Sequence, residues 1–335
     1  MKVGGELDVL TLRNREQVTE LGSVRQERRL IVGGGSNLIL PDTPFEGVVI
    51  LPRIMGMEVL GTASQASTQH AVPRYMRTEE SRYLNLEKVS IDETSGERVL
   101  VRFGAGVAWG AAVAQSLQRG LIGLHYFARI PCTVGGALVN NIHAGERLLD
   151  RYIHSAEVYN FETGECYELL HDELQFGYDT SLMHTQRSLM VVSVTMNLIA
   201  AEPDVVAEAQ AAYQRWTAEK ARVQPSGPNS GSTFQNLDPS LVAAQGLPHA
   251  AAGWYVEHAG LFGYQRGGMQ VYTTHGNFIV NTGDGTQSDW IELVTDIRNR
   301  VHEAYGVWLL PEVEVIHHNG SRLHWHDNQQ QWQES

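Results

Sequence analysis

The 335-residue sequence predicts an α+β chain in three successive regions. Three observations predict it. Short apolar runs alternate with Gly-, Ser- and Asn-rich loops through the first 200 residues, the pattern of strands joined by turns. A helix-favouring, Ala- and Glu-rich stretch over 203–222 then separates these runs from the C-terminal part of the chain. Beyond it, a smaller region to about 317 carries its own strands and one amphipathic helix.

Residues 1–55 read as a small α/β unit. Strands are predicted at 7–12, 29–32 and 48–51, with a helix over 15–21. Inside it, two apolar runs flank Gly33-Gly34-Gly35-Ser36-Asn37. Glycines let a backbone pass close to a bulky polar group and take positive φ at no steric cost. Their N–H groups can converge on an anion such as a pyrophosphate, with Ser36 and Asn37 adding side-chain hydrogen bonds. The spacing is neither GxGxxG nor GxxxxGK[ST], so neither a Rossmann fold nor a P-loop follows.

Residues 61–97 are polar and read as an inserted loop or long hairpin. A strand is predicted at 99–103, running into Gly104-Ala105-Gly106. A helix is predicted over 109–119, stopped by Gly120. The segment Ile130-Pro131-Cys132-Thr133-Val134-Gly135-Gly136-Ala137 again suits close approach of backbone to a ligand. Strands follow at 156–160, 165–169 and 190–199. In the third region a strand is expected at 277–281, a helix at 288–305 and a closing strand at 313–316. The tail 318–335 is polar and expected to fray.

Composition narrows the function. With 38 acidic and 25 basic residues the net charge is −13, which argues against general nucleic-acid or anionic-membrane binding. Cys132 and Cys166 have no metal-type spacing, and Cys132 reads as a small buried thiol. No apolar run approaches the ~18–20 residues a membrane span needs. A soluble protein of the reducing cytoplasm is expected. His317, His318, His324 and His326 have no regular spacing and read as a solvated tail rather than a metal site.

Taken in order, a set of blocks resembles the UDP-N-acetylenolpyruvoylglucosamine reductase family. They are Val3-Gly4-Gly5, Gly33 to Asn37, Gly104 to Val107, Ile130 to Ala137 and Phe176-Gly177-Tyr178-Asp179-Thr180-Ser181. The set continues with Pro228 to Asn236, Gly253 to Glu257, Gly260 to Tyr264 and Leu310 to Val315. No single block is specific, but the ordered set is. The resemblance implies a two-subdomain FAD-binding domain of the vanillyl-alcohol-oxidase type plus a C-terminal α/β substrate domain. Residues 1–55 would form the first flavin subdomain, 56–200 the second, and 201–317 the substrate domain.

The resemblance also implies chemistry. The family reduces the enolpyruvyl double bond of a UDP-sugar, with FAD as cofactor and NADPH as hydride donor, in peptidoglycan precursor synthesis. Gly33, Gly34, Gly35, Ser36 and Asn37 would cradle the FAD pyrophosphate, and Thr133, Gly135 and Gly136 would line the flavin. Ser232 matches the proton donor and Glu312 the catalytic glutamate. Tyr178 and Asn236 match substrate-binding residues, Asn236 on the nucleotide-sugar pyrophosphate. His143, near the expected flavin edge, reads as a structural histidine rather than a covalent flavin attachment point.

Two departures stand out. Asp179 occupies the catalytic position where the family has an arginine, inverting the charge beside the substrate carboxylate. Phe262 stands where a lysine is usual. Arg129, Arg222 and Arg266 are candidate replacements for the missing cation. Asp179 and Phe262 also leave open two alternatives, a same-fold oxidoreductase with a less anionic substrate and a flavin-binding relative without activity.

Overall fold

A computed structural model describes residues 1, 3–22, 28–63, 91, 93, 96–145, 147–326 and 331–334. The N-terminal unit comprises β1 (Asp8–Leu12), α1 (Arg15–Thr19), β2 (Arg29–Ile31), β3 (Leu38–Ile39) and β4 (Val48–Pro52). Asn14 starts α1 by accepting the Gln17 N–H on its side-chain oxygen. β4 lies between β1 and β2 and pairs in parallel with both. Val49 and Ile50 are accordingly buried to opposite sides. β2 and β3 do not pair with each other, so the triple-glycine loop passes from one sheet to another.

The second region holds β5 (Met57–Thr62), β6 (Glu97–Gly104), α2 (Trp109–Gln118), β7 (Leu121–Ile122), α3 (Val134–Val139), β8 (His143–Ala144) and β9 (Arg147–Leu148). It continues with β10 (Ile153–Asn160), β11 (Glu165–Leu170), α4 (Leu182–Thr185) and β12 (Leu189–Ala200). The main sheet runs β11-β10-β12-β6-β5 with antiparallel pairing, and β7 joins β12. β5 and β6 are the paired arms of the expected insert, with Thr62 opposite Val99. Residues 64–90, 92, 94 and 95 of that insert lie outside the described residues.

β12 is buried along nearly its whole length, its polar Ser193, Thr195 and Asn197 included, because both of its faces are covered. Met190 and Val192 pack with Leu12, Val18, Ile50 and Phe161 of the N-terminal side. Leu189 and Val191 instead face the core beneath α2 and α3. A register shift opposite Glu157 and Val158 makes Val192 an extra residue, and the inward set changes to Val194, Met196 and Leu198.

α5 (Pro203–Val223) starts on a proline, where the missing N–H costs nothing. It buries Ala209, Ala212 and Trp216 in the core of the second region, with the Trp216 indole stacked 5.6 Å from the Tyr126 ring. The expected boundary at 200/201 therefore assigns α5 to the third region, whereas its packing partners are in the second.

The third region contains β13 (Asn229–Ser232), α6 (Pro239–Gln245), α7 (Ala252–His258), β14 (Gln265–Arg266), β15 (Met269–Val271), β16 (Phe278–Asn281) and α8 (Gln287–Tyr305). Its sheet runs β13-β16-β15-β14. α8 opens with a capping box, in which Thr286 and Asp289 each accept the other's backbone N–H, and Gly306 at φ 68° ends it. Trp290, Leu293, Val294, Ile297 and Val301 form its buried stripe.

The tail departs from expectation. β17 (Glu314–Ile316), β18 (Arg322–His326) and β19 (Gln331–Glu334) form a sheet in the order β19-β18-β17-β3, rather than fraying. Three apolar residues in an otherwise polar segment account for this. Trp325 and Trp332 are cross-strand partners with ring centroids 5.9 Å apart. Trp332 lies 5.9 Å from Trp290 of α8, and Leu323 packs on the same core. The Arg298 guanidinium sits 4.1 Å over the Trp325 ring. His317 and His318 lie beside Glu334 and Glu46 and remain partly exposed. Among the described residues no three His, Cys, Asp or Glu side chains gather as metal ligands.

Candidate functional site

The two glycine-rich segments meet backbone to backbone. A Cβ on Gly33 would lie 2.9 Å from Thr133 Oγ1, and one on Gly34 would lie 3.2 Å from the Pro131 carbonyl oxygen. Thr133 Oγ1 accepts the Gly136 N–H at 3.3 Å, which opens α3. Val134 and Gly135 donate to the Val107 and Ala105 carbonyls, docking this segment just past the end of β6. A Cβ on Gly135 would come within 3.0 Å of Ala105 Cβ.

The N–H groups of Gly34, Gly35 and Ser36 reach no backbone carbonyl among the described residues. Arg53, just past β4, donates from Nη1 to the Gly33 carbonyl at 2.9 Å. Sequence reading missed this guanidinium, because a lone arginine after a strand carries no signal of its own. Asn37 Nδ2 donates to the Glu312 carbonyl at 3.1 Å, while the Asn37 carbonyl accepts the Glu314 N–H. The loop is thus tied directly to the segment 312–314 that leads into β17.

Ser232 and Glu312 lie on adjacent extended segments. The Glu312 N–H donates to the carbonyl of Thr233, the residue after Ser232, at 3.0 Å. Phe234 and Pro311 form a further bridge. Asn277 brackets the same strand, accepting from Phe234 N and donating to the Phe234 carbonyl, both at 2.8 Å. The turn at Gly231 is closed by the Asn229 side chain, which accepts the Gly231 N–H at 2.9 Å, so Ser232 has no capping duty there. Burial, and secondarily Asp179, pushes the Glu312 carboxyl well above the usual range.

Asp179 is held by a turn clamped at both ends. Asn141 Nδ2 donates to the Gly177 carbonyl at 2.9 Å, and Ser181 Oγ donates to the Val139 carbonyl at 2.7 Å. Asp179 takes a left-handed backbone at φ 54°. Its Oδ1 lies 2.8 Å from His143 Nδ1, and its buried Oδ2 has no hydrogen-bond partner among the described residues. The Tyr178 ring stacks on His143 at 4.9 Å, with its hydroxyl 3.3 Å from Nε2.

The partner of Asp179 is therefore an imidazole, whereas sequence offered Arg129, Arg222 and Arg266 as candidate replacements for the missing cation. Arg222 is paired with Glu219 and Arg266 with Asp296. Arg129 has a left-handed backbone at φ 56°, beside the Ala128 carbonyl that accepts from Lys220 Nζ. Asn236 Oδ1 accepts the Ala252 N–H at 3.2 Å, at the start of α7. Phe262 packs against the core of the third region. Burial pushes the Cys132 thiol up to about 12, so it is not a thiolate at neutral pH. Two open depressions of about 640 and 630 Å³, around Arg187 and Tyr167 respectively, include none of the site residues named from sequence.

Comparison with known proteins bears on what this arrangement serves. Residues 224–316 match the UDP-N-acetylenolpyruvoylglucosamine reductase C-terminal domain, and residues 59–170 match an FAD binding domain. The UDP-N-acetylenolpyruvoylglucosamine reductase of Geobacter metallireducens is 31% identical over 94% of this chain and 90% of its own length. That of Bacillus velezensis is 30% identical with the same coverage. The crystal structure of UDP-N-acetylenolpyruvylglucosamine reductase from Thermus caldophilus superposes with a TM-score of 0.66 at 25% identity, covering 93% of each chain.

Proposed function

Because the chain belongs to the UDP-N-acetylenolpyruvoylglucosamine reductase family, a family of FAD-dependent oxidoreductases, we propose that it converts UDP-N-acetylglucosamine enolpyruvate to UDP-N-acetylmuramate, with NADPH as hydride donor. On this reading it supplies peptidoglycan precursors in the cytoplasm. No helix among the described residues is long and apolar enough to cross a membrane.

The residues present fit FAD. Two touching glycine backbones, three N–H groups without a backbone acceptor among the described residues and the Arg53 guanidinium make a donor set suited to a pyrophosphate. Gly33 to Asn37 would hold that group, with Thr133, Gly135 and Gly136 on the facing side. Bound FAD supplies hydride transfer between reduced nicotinamide and carbon.

Hydride addition at the substrate β-carbon drives the π pair onto the α-carbon. Ser232 then gives its Oγ proton to that carbon and recovers one from solvent. Glu312, held toward its neutral form by burial and secondarily by Asp179, would meet the substrate carboxylate as a hydrogen-bond donor rather than as a second anion. The observation that supports this reading is the Glu312–Thr233 hydrogen bond, which joins the segments carrying the two family-matching residues, together with the Asn37–Glu312 bond from the triple-glycine loop.

Asp179 and Phe262 favour a second reading, an oxidoreductase of the same fold with a less anionic substrate. Steady NADPH oxidation separates the two. Turnover that depends on UDP-N-acetylglucosamine enolpyruvate, and disappears in Ser232→Ala while the flavin is retained, is expected from the first. A yellow protein without that turnover, stabilised instead by an unrelated alcohol or sugar acid, would establish the second.

A further inference from the structure

We infer that His143 is a positioning residue for this site: through Asp179 and Tyr178 it decides whether the Tyr178 hydroxyl offers a proton or a lone pair, so that an anion bound at Tyr178 brings one proton onto the imidazole. This rests on the proposed reductase function, in which Tyr178 contacts the substrate.

Two loops set the geometry. Residues 177–181 are fastened to 139–141 by the Asn141–Gly177 and Ser181–Val139 hydrogen bonds, so the side chains of Tyr178 and Asp179 are fixed relative to β8, which carries His143. The short Nδ1 contact to the Asp179 carboxylate requires the hydrogen to sit on Nδ1, since an ionised carboxylate only accepts. That choice leaves Nε2 as the variable position, 3.3 Å from the Tyr178 hydroxyl.

In the neutral ring, Nε2 accepts the phenolic proton, and the Tyr178 oxygen turns lone pairs to its surroundings. In the imidazolium, Nε2–H donates to that oxygen, and the phenolic proton turns away from the ring toward a ligand. Only the second state welcomes the substrate carboxylate. Asp179 balances the added charge, and it can do so because its Oδ2 is not engaged by any other donor among the described residues.

The other charged groups do not duplicate this role. Glu312, beyond Asp179, is held toward its neutral form. Arg147, on the strand paired with β8, is turned to Glu93 at 2.8 Å and Tyr152 at 2.6 Å.

Calorimetry on the flavin-loaded protein tests this without turnover. UDP-N-acetylglucosamine enolpyruvate is titrated, in the absence of NADPH, in buffers of different ionisation enthalpy. At pH 8 about one proton should be taken up per molecule bound. UDP-N-acetylglucosamine, which lacks the carboxylate, should bind without uptake. His143→Gln should abolish uptake and weaken binding about tenfold at neutral pH, with the flavin spectrum unchanged. Asp179→Asn should lose the uptake as well, giving a second route if the first variant folds poorly.

Binding to the wild type without proton exchange, or uptake that persists in His143→Gln, overturns the role of His143 and leaves the reductase reading standing. A yellow wild type that gives no binding with this substrate overturns both.

Discussion

Adding one methyl group at Gly33 tests the cradle at its tightest point. In Gly33→Ala the new Cβ would sit 2.9 Å from Thr133 Oγ1 and 3.5 Å from Gly136 Cα. Carbon and oxygen do not approach this closely without a shift, and the neighbouring atoms belong to a docked helix start. Overpacking of this kind costs about 1–3 kcal/mol. Removing Oγ1 instead, in Thr133→Ala, loses the hydrogen bond from Gly136 N–H, and a lost N-cap costs about 1 kcal/mol. In the double variant the clash has no partner atom, so the two costs should not add. A favourable coupling of about 1–2 kcal/mol is expected, measured both in urea unfolding and in FAD affinity by fluorescence titration of the apoprotein. Additive costs, or a Gly33→Ala protein with wild-type stability and affinity, would refute the contact between the two glycine segments.

Acid–base linkage supplies two more expectations of opposite sign. His125 is fully buried and its pKa is lowered to about 3, first by desolvation and then by Arg147. The unfolded chain therefore binds a proton near pH 6.5 that the folded one refuses, and stability should fall by ~2 kcal/mol between pH 7 and pH 5. Urea midpoints across that range check it, and His125→Gln should flatten the slope. Glu312 runs the other way, because its pKa is raised and the folded state keeps a proton that the unfolded chain has lost. Stability from this group is complete below the ordinary glutamate range and falls by about 1.4 kcal/mol per pH unit above it, until the folded carboxyl ionises. Glu312→Gln should remove that loss and raise the melting temperature at pH 7–8, while slowing turnover. A variant less stable than the wild type at pH 8 would contradict a raised pKa for this carboxyl in the folded state.

What could be read from sequence was local. The strand–glycine–strand pattern around Gly33, the helix over 203–222 and the stop at Gly120 follow from spacing and turn residues, and the structure has them within a few positions. The failures are all tertiary. Trp325 and Trp332 form a hairpin only because β17 offers an edge and Trp290 offers a surface, neither of which shows in a segment that is polar overall. α5 reads the same whichever region it packs on. His143 and Asp179 are 36 residues apart, and nothing in either stretch announces the other. Arg53 acts through a backbone carbonyl, which leaves no pattern in side-chain identity. Ser232 and Glu312 were legible only through the ordered blocks of the family likeness.

The reducing step itself offers the most direct measurement. Flavin-loaded protein is first reduced with one equivalent of NADPH under anaerobic conditions, then mixed rapidly with UDP-N-acetylglucosamine enolpyruvate while absorbance near 450 nm is followed. Full return of the oxidised flavin spectrum is expected, with one equivalent of UDP-N-acetylmuramate formed. Flavin that stays bleached after mixing, in a protein that still binds the nucleotide sugar, would contradict the assignment of substrate.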